Sequence, residues 1–227
     1  MTLEHDEYRA IAPVYDPLLD PFLNRIRART AALIQETGLT RVIDLCCGTG
    51  VQCEMLKGMG IQAFGVDMSP AMLRKAATKS QDRGYVLGDA ARPPFQPQAC
   101  DGVILSFALH EKSPDQQWQI LSQAQGLLSS LGALIVVDFC RPRRVLDFSA
   151  FFLIMAVERL AGSRHFANFR SYMKAGGLKG VLSPHAGLKP VARETFFMST
   201  VTLELLRLTP QEQTDLSRNT LFPGKPR

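Results

Sequence analysis

Short, wholly apolar runs alternate with helix-compatible stretches through the first 140 residues of the chain. Strands are predicted at 41–45, 62–66, 85–87, 102–107 and 133–139, with helices at 22–36, 51–59, 71–80 and 114–129. Strands that are apolar throughout, instead of alternating with polar residues, indicate a sheet that is covered on both faces. The order predicts an α/β fold with a doubly wound, Rossmann-like, mostly parallel sheet.

Local signals set several boundaries of these elements. Ser69-Pro70 and Ser113-Pro114 each combine an N-cap residue with proline at the first helical position. The loop 92–97 contains three prolines, so it cannot be a helix or an inner strand. Leu131-Gly132 is predicted to be the turn that precedes the fifth strand.

The end of the pattern differs from its beginning. Two strand-like runs, 188–197 and 199–208, meet at Met198-Ser199 with no room for a helix between them. They predict an antiparallel hairpin at one edge, which brings the sheet to seven strands. Residues 209–227 are polar and contain proline, so a loosely held tail is expected after a single domain of residues 1–208.

Composition and charge narrow the class of protein. The 227 residues fit one large domain, and the net charge of +5 comes from scattered basic residues. Long basic runs are missing, so no nucleic-acid partner is expected, whereas an anionic membrane surface or acidic substrate stays open. Five cysteines without CxxC spacing suggest neither disulfides nor a zinc site. With a charged N-terminus and no uncharged apolar stretch of roughly 20 residues, a cytoplasmic protein is expected.

The most informative motif is the run Val-Ile-Asp-Leu-Cys-Cys-Gly-Thr-Gly at 42–50. It joins a strand to a helix through a turn with two glycines, Gly48 and Gly50. Glycine lacks a Cβ and tolerates positive φ, so backbone can approach a ligand closely here. The motif predicts a nucleotide-like ligand.

Two ligand classes use such a loop, and the neighbouring residues distinguish them. The dinucleotide fingerprint G-x-G-x-x-G fails because its third glycine is replaced by Cys53. Asp44, before the loop, suits a cationic amino group better than a pyrophosphate. Asp67 ends the second strand and can accept ribose hydroxyl protons, and Asp89 could accept from an adenine amino group. The pattern favours S-adenosylmethionine over a nicotinamide dinucleotide.

These residues resemble the class I S-adenosylmethionine-dependent methyltransferases, whose seventh strand is antiparallel. The matching segments, in order, are 42–50, 65–73, 86–90, 101–110 and 133–139. Residues 8–16 and 162–178 are similar to the ubiquinone/menaquinone biosynthesis-type methyltransferases. One departure stands out, because Cys46 occupies a position where the family usually has glycine.

The resemblance implies a set of site residues. The cofactor-binding residues are expected to be Asp44, Cys46, Gly48, Gly50, Asp67, Met68, Asp89, Ala90, Ser106 and Phe107. His110, on a strand-end loop, is the candidate general base, and Tyr15 belongs to an N-terminal lid (1–37) that could reach over the sulfonium. No metal is expected. Thiol chemistry at the clustered cysteines is less favoured than simple burial.

The acceptor is expected to lie near an insertion at about 141–172. Its apolar run 145–157 is open to three interpretations: a buried packing helix, an apolar acceptor pocket or a membrane contact. The predicted function is in-line methyl transfer to a small, apolar or lipidic acceptor, quinone-like or phospholipid-like, by a monomer or homodimer. A non-catalytic S-adenosylmethionine-binding protein and an NAD(P)-dependent oxidoreductase are the alternatives.

Overall fold

A seven-stranded mixed sheet forms the centre of the described part of the chain. The computed structural model describes residues 6, 8, 9, 11–80, 84–142, 147–160, 162–185 and 187–209. The strands are β1 Arg41–Leu45, β2 Gln62–Asp67, β3 Tyr85–Leu87, β4 Cys100–Ser106, β5 Leu128–Phe139, β6 Leu188–Phe196 and β7 Val201–Leu208. Their order is β3-β2-β1-β4-β5-β7-β6, and β7 runs antiparallel to both of its neighbours. The predicted fold class and edge hairpin are confirmed.

Seven helices lie between or before these strands in the described residues. They are α1 Tyr15–Glu36, α2 Val51–Gly58, α3 Pro70–Lys79, α4 Pro114–Leu127, α5 Asp147–Leu160, α6 Ser163–Ala175 and α7 Leu178–Leu182. Ser69 accepts a hydrogen bond from the Met72 amide at the start of α3, and Ser113 forms a capping box with Gln116 at the start of α4. Both predicted N-caps are therefore confirmed.

The strand order reverses direction between β1 and β4. From β1 the chain proceeds through β2 and β3 to one edge, and β4 then pairs with the opposite side of β1. In open α/β sheets, ligands bind in the crevice that opens at such a switch point, outside the carboxyl ends of the strands. The fold thereby places the loops after β1, β2 and β4 next to one another.

The core is continuous through the sheet. The central strands are buried over most of their length, and the edge strand β6 is half-exposed. Ile26 and Ile34 of α1 and Leu56 of α2 belong to the same core cluster. This burial explains the wholly apolar strands, because both faces of the inner sheet are covered.

Two elements differ from the predicted boundaries by more than two residues. Helix α1 begins at Tyr15, seven residues before the predicted start, and continues through Pro21. Strand β5 begins at Leu128, so the predicted turn at Leu131-Gly132 is wrong. That turn signal instead marks an irregularity, because Cys100 pairs with Leu128 whereas Gly102 pairs with Ala133.

The apolar run at 145–157 is only partly described. In α5, Phe151, Ile154 and Met155 pack against the core, whereas Phe152 is 65% exposed. The described helices include none that combines the length and apolar character needed to cross a bilayer. Of the expected tail 209–227, only Thr209 lies within the described residues.

Candidate functional site

A cavity of about 400 Å³ opens at the carboxyl ends of the strands. It is lined by the loops after β1, β2, β3 and β4, by the N-terminal segment and by residues near the start of α4. The predicted residues among its lining are Tyr15, Cys46, Gly48, Asp67, Met68, Asp89, Ala90, Ser106 and Phe107. The fold therefore brings together most of the residues that the sequence singled out.

Asp67 is held rigidly at the end of β2. Its Oδ2 accepts from the Gly48 amide and its Oδ1 accepts from the Ser69 amide, each at 2.8 Å. Burial raises the pKa of Asp67, against the opposing effect of these two hydrogen bonds. An ionised carboxylate has about four acceptor positions, so about two remain for a ligand in the cavity.

Asp44 lies in a smaller cavity of about 60 Å³ beside the large one. The two cavities share Tyr15, Cys46, Gly48, Ser106 and Phe107 in their walls. Asp44 is 3% exposed and its Oδ1 has no hydrogen-bond partner in the described residues. Burial, and then the nearby Asp67 carboxylate, raises the pKa of Asp44 to about 7.

The turn after β1 explains the unusual cysteine. Cys46 has a φ of 64°, in the left-handed region where glycine is usual. Glycine would be unstrained at this position, which agrees with the glycine that the family usually has where this chain has Cys46. Burial raises the pKa of the Cys46, Cys47 and Cys53 thiols, which disfavours the reactive thiolate.

The two glycines of the loop have different surroundings. Gly48 (φ 55°) faces open space, because a Cβ added to it would have no other atom within 4 Å. Gly50 (φ 74°) instead lies against Tyr85, whose ring and hydroxyl would clash with an added Cβ. Gly50 therefore permits packing against β3 and does not line either cavity.

The far end of the large cavity is less polar. Met68, which is 45% exposed, and Leu87, which is 48% exposed, are part of its wall. Asp89 lines the same end, and its Oδ1 accepts from the Ala91 amide at 2.9 Å. Apolar walls with one fixed carboxylate are suited to an aromatic ring that carries a hydrogen-bond donor.

The N-terminal segment, here the described residues from Asp6 to Asp16, covers the cavity and forms hydrogen bonds to the loops beneath it. Asp16 Oδ1 accepts from the Thr49 hydroxyl at 2.5 Å, and Asp16 Oδ2 lies 2.6 Å from Lys79 Nζ. Asp6 accepts from the Ser69 hydroxyl at 2.7 Å and from the Ala71 amide at 3.0 Å. These contacts place Tyr15 at the cavity, where burial raises its pKa to about 12.

His110, the candidate general base, lines neither of the two cavities. Asp138 Oδ2 accepts from the Leu109 and His110 amides, and Asp138 Oδ1 lies 2.8 Å from His110 Nδ1. The loop is thus held against β5 with the imidazole turned inward. Although burial lowers the pKa of His110, Asp138 and then Glu158 raise it to about 9. An imidazole that lines neither cavity is poorly placed to act as a general base there.

Sequence reasoning missed Glu111 and Lys112, which follow His110 and do line the cavity. Lys112 Nζ lies 2.6 Å from Glu111 Oε1, and the Tyr8 hydroxyl donates to Glu111 Oε2. Burial alone would raise the pKa of Glu111, but Lys112 and His110 hold it below its usual value. The signal that could have found this pair is a charged dipeptide directly after a strand-end loop.

The described part of the insertion expected to border the acceptor contributes little to the cavity. Of the described residues between 141 and 172, Arg164 alone lines it. His165 and Arg170, two polar residues of this insertion, are not in the cavity wall. Among the described residues, the N-terminal segment supplies more of the wall, through Asp6, Tyr8 and Tyr15, than the insertion does.

Comparisons with known proteins agree with this geometry. Residues 42–132 match the family described as "Methyltransferase domain". An uncharacterized methyltransferase of Synechocystis is 37% identical over 102 residues, 45% of this chain and 48% of that protein. The demethylmenaquinone methyltransferase of Thermus thermophilus is 32% identical over 146 residues, 60% of this chain and 65% of that protein. The chain thus spans less than two thirds of the length of either relative.

A solved structure supports the same assignment at the level of the fold. The N-methyltransferase NodS from Bradyrhizobium japonicum, in complex with S-adenosylhomocysteine, superposes with a TM-score of 0.66 at 15% identity. The match covers 90% of this chain and 99% of the NodS chain. Taken with the motifs and the cavity, these findings show that the chain belongs to the class I S-adenosylmethionine-dependent methyltransferases.

Proposed function

We propose that this protein transfers a methyl group from S-adenosylmethionine to a small acceptor in the large cavity. The observation that carries the proposal is the composition of the cavity wall. Asp67 at the end of β2 and Asp89 after β3 line it together with the open side of Gly48. The oxidoreductase alternative lacks comparable support, because the match to the methyltransferase family covers the glycine loop and both acids.

The residues present fit this cofactor. The unpartnered, buried Oδ1 of Asp44 matches a cationic amino group, which would satisfy it and offset its desolvation. Asp67 keeps acceptor capacity for ribose hydroxyl groups after its two backbone hydrogen bonds. Met68 and Ala90 would border the adenine, with Asp89 accepting from its amino group. Ser106 and Phe107, in the walls of both cavities, would border the methionine part.

The contribution of the protein to the reaction is alignment and exclusion of water. When bound, the cofactor supplies a methyl group that its sulfonium already activates. The N-terminal segment, fixed through Asp16 and Asp6, covers the cavity and orders what lies beneath it. Orientation of this kind contributes up to about 7–11 kcal/mol in well-aligned cases. For an acceptor that must lose a proton, Glu111 is a better placed group than His110, because Glu111 lines the cavity and His110 does not.

The proposed acceptor is apolar or lipidic. The Thermus thermophilus relative is named a demethylmenaquinone methyltransferase, which supports a quinone-like acceptor. Exposed apolar side chains support a cytoplasmic protein that contacts a membrane surface peripherally. Leu18 and Phe22 of α1 are 55% and 53% exposed, and the ring centroids of Phe22 and Phe197 are 6.2 Å apart.

Methyl transfer into fractionated cell extract tests the proposal. The purified protein is incubated with S-adenosylmethionine labelled in its methyl group, and the organic and aqueous phases are counted separately. Enzyme-dependent label in the organic phase supports the apolar acceptor, and label in the aqueous phase supports methyl transfer while excluding that acceptor class. Binding of S-adenosylhomocysteine without any transfer would favour the non-catalytic alternative.

A further inference from the structure

Three side chains outside the cavity converge behind its wall. His110 follows β4, Glu158 lies in α5 and His165 lies in α6. His165 Nε2 is 2.5 Å from Glu158 Oε2, and His110 Nε2 is 3.6 Å from the same oxygen. One ligand atom from each residue lies within 4.8 Å of the others. His110 and Glu158 are buried, and His165 is half-buried.

The surroundings of this cluster resemble an outer coordination shell. Asp138, fully buried, contacts His110 Nδ1 at 2.8 Å, which directs Nε2 of the ring toward Glu158. His165 Nδ1 lies 3.6 Å from Glu111 Oε2. Metal-bound histidines usually pair their second ring nitrogen with a carboxylate or carbonyl, as His110 does with Asp138, which fixes the tautomer and orients the ring.

From this geometry we propose that His110 Nε2, Glu158 Oε2 and His165 Nε2 form a binding site for a first-row divalent cation such as Zn²⁺. Two imidazoles and one carboxylate are a donor set that suits zinc, and three protein ligands leave a fourth position open. At bond lengths of about 2.0–2.2 Å, tetrahedral ligand atoms lie roughly 3.3–3.6 Å apart. Small side-chain adjustments would therefore close the shell.

The site would connect three elements that are far apart along the chain. A bound cation would fasten α5 and α6 to the loop after β4, and Glu111 connects that loop to the cavity wall. The same cation would offset the carboxylates of Asp138, Glu158 and Glu111 that face the two imidazoles. This proposal departs from the expectation that no metal is bound, and it does not depend on the proposed methyl transfer.

Metal titration of the tag-free, full-length protein tests the site. After treatment with a chelator, the protein is dialysed against Zn²⁺ and its metal content measured, and Co²⁺ is added separately to record visible absorption. We expect one Zn²⁺ per chain and a Co²⁺ spectrum of low coordination number. His165→Ala should weaken Zn²⁺ binding by more than the roughly 10- to 100-fold that outer-shell partners contribute.

His185→Ala is the matched control, because His185 stacks on Trp118 away from the cluster. The control should retain wild-type stoichiometry and spectrum. Circular dichroism checks the folding of each variant, and Glu158→Gln, similar in shape to the native residue, replaces His165→Ala if that variant does not fold. No stoichiometric Zn²⁺ in the wild type, or equal binding by wild type and ligand variant, would overturn the proposal and leave a hydrogen-bonded His-Glu-His network.

Discussion

Asp44 and Asp67 lie near the carboxyl ends of neighbouring strands, yet their surroundings suit them to different partners. Asp67 has a backbone amide on each oxygen, so its geometry is fixed before any ligand arrives. Asp44 has one oxygen near the Cys53 thiol, at 3.8 Å, and one with no partner in the described residues. The first residue is prepared for hydroxyl donors, and the second for a cation that would relieve its desolvation.

Asp67→Ala should weaken S-adenosylhomocysteine binding by about 100-fold or more. Two ribose hydroxyls would lose a charged acceptor, and each such hydrogen bond contributes about 1.5–3 kcal/mol. Isothermal titration calorimetry measures the change. Asp115→Ala is the control, since Asp115 is exposed in the first turn of α4 and should leave affinity unchanged. Equal affinity for wild type and Asp67→Ala would contradict the assigned role.

Asp44 makes the unliganded protein sensitive to pH. Because the folded-state pKa is raised from 3.8 to about 7, folding favours the protonated form, and stability is lost as pH rises from about 4 to 7. Asp44→Asn should remove this loss. The difference in the free energy of unfolding between the variant and the wild type should therefore shift in favour of the variant by roughly 2–3 kcal/mol from pH 5 to pH 8. Urea unfolding at both pH values measures this gain. A difference that is the same at both would show that Asp44 is not desolvated.

Substitutions of Cys46 test the backbone strain at the turn after β1. A β-branched residue at φ 64° is strongly disfavoured, so Cys46→Val should destabilise the protein by about 1–3 kcal/mol. Cys46→Gly should lie within about 1 kcal/mol of the wild type, because glycine adopts this conformation freely. Chemical denaturation compares the two variants. A valine variant as stable as the glycine variant would argue against the left-handed turn.

At the scale of elements, α1 does more than extend the core. Its first turn carries Tyr15 to the cavity and Asp16 to the glycine loop and α3. These contacts explain why the helix continues through Pro21, at which helix propensity alone places its start. Tertiary contacts at the N-terminus outweigh the hydrogen bond that proline cannot donate.

Asp16→Ala should loosen this N-terminal covering. Loss of the contacts to Thr49 and Lys79 should speed S-adenosylhomocysteine dissociation about 10-fold, equivalent to about 1.4 kcal/mol. Stopped-flow displacement measures the rate, and hydrogen exchange should rise over residues 11–20. Glu36→Ala is the control, because Glu36 pairs with Arg29 at the far end of α1. Unchanged dissociation would mean that the N-terminal segment does not act as a lid.

The sequence predicted those parts of the fold and site that depend on local chemistry. Apolar strand runs, serine-proline caps and acids at strand ends are visible in the chain itself, and they led to the fold, family and cofactor that are confirmed. The direction of the His110 ring was not visible, because Asp138, 28 residues later, determines it. The convergence of Glu158 and His165 on that ring likewise depends on the packing of α5 and α6.

At the scale of the whole molecule, the reversal of strand order between β1 and β4 is what assembles the site. It opens the crevice into which the loops after β1, β2 and β4 project, while β5 and the edge hairpin complete the sheet. The family match at 42–132 covers the glycine loop, Asp67 and Asp89, and the N-terminal segment that closes the cavity lies outside it. Cofactor recognition and covering of the cavity thus come from different parts of the chain.

Calorimetric titration of the wild-type protein with S-adenosylhomocysteine and, separately, with NADH tests the central claim most directly. The cavity and its acids predict one S-adenosylhomocysteine per chain with micromolar affinity and no binding of NADH. Tight binding of NADH with no binding of S-adenosylhomocysteine would contradict the account.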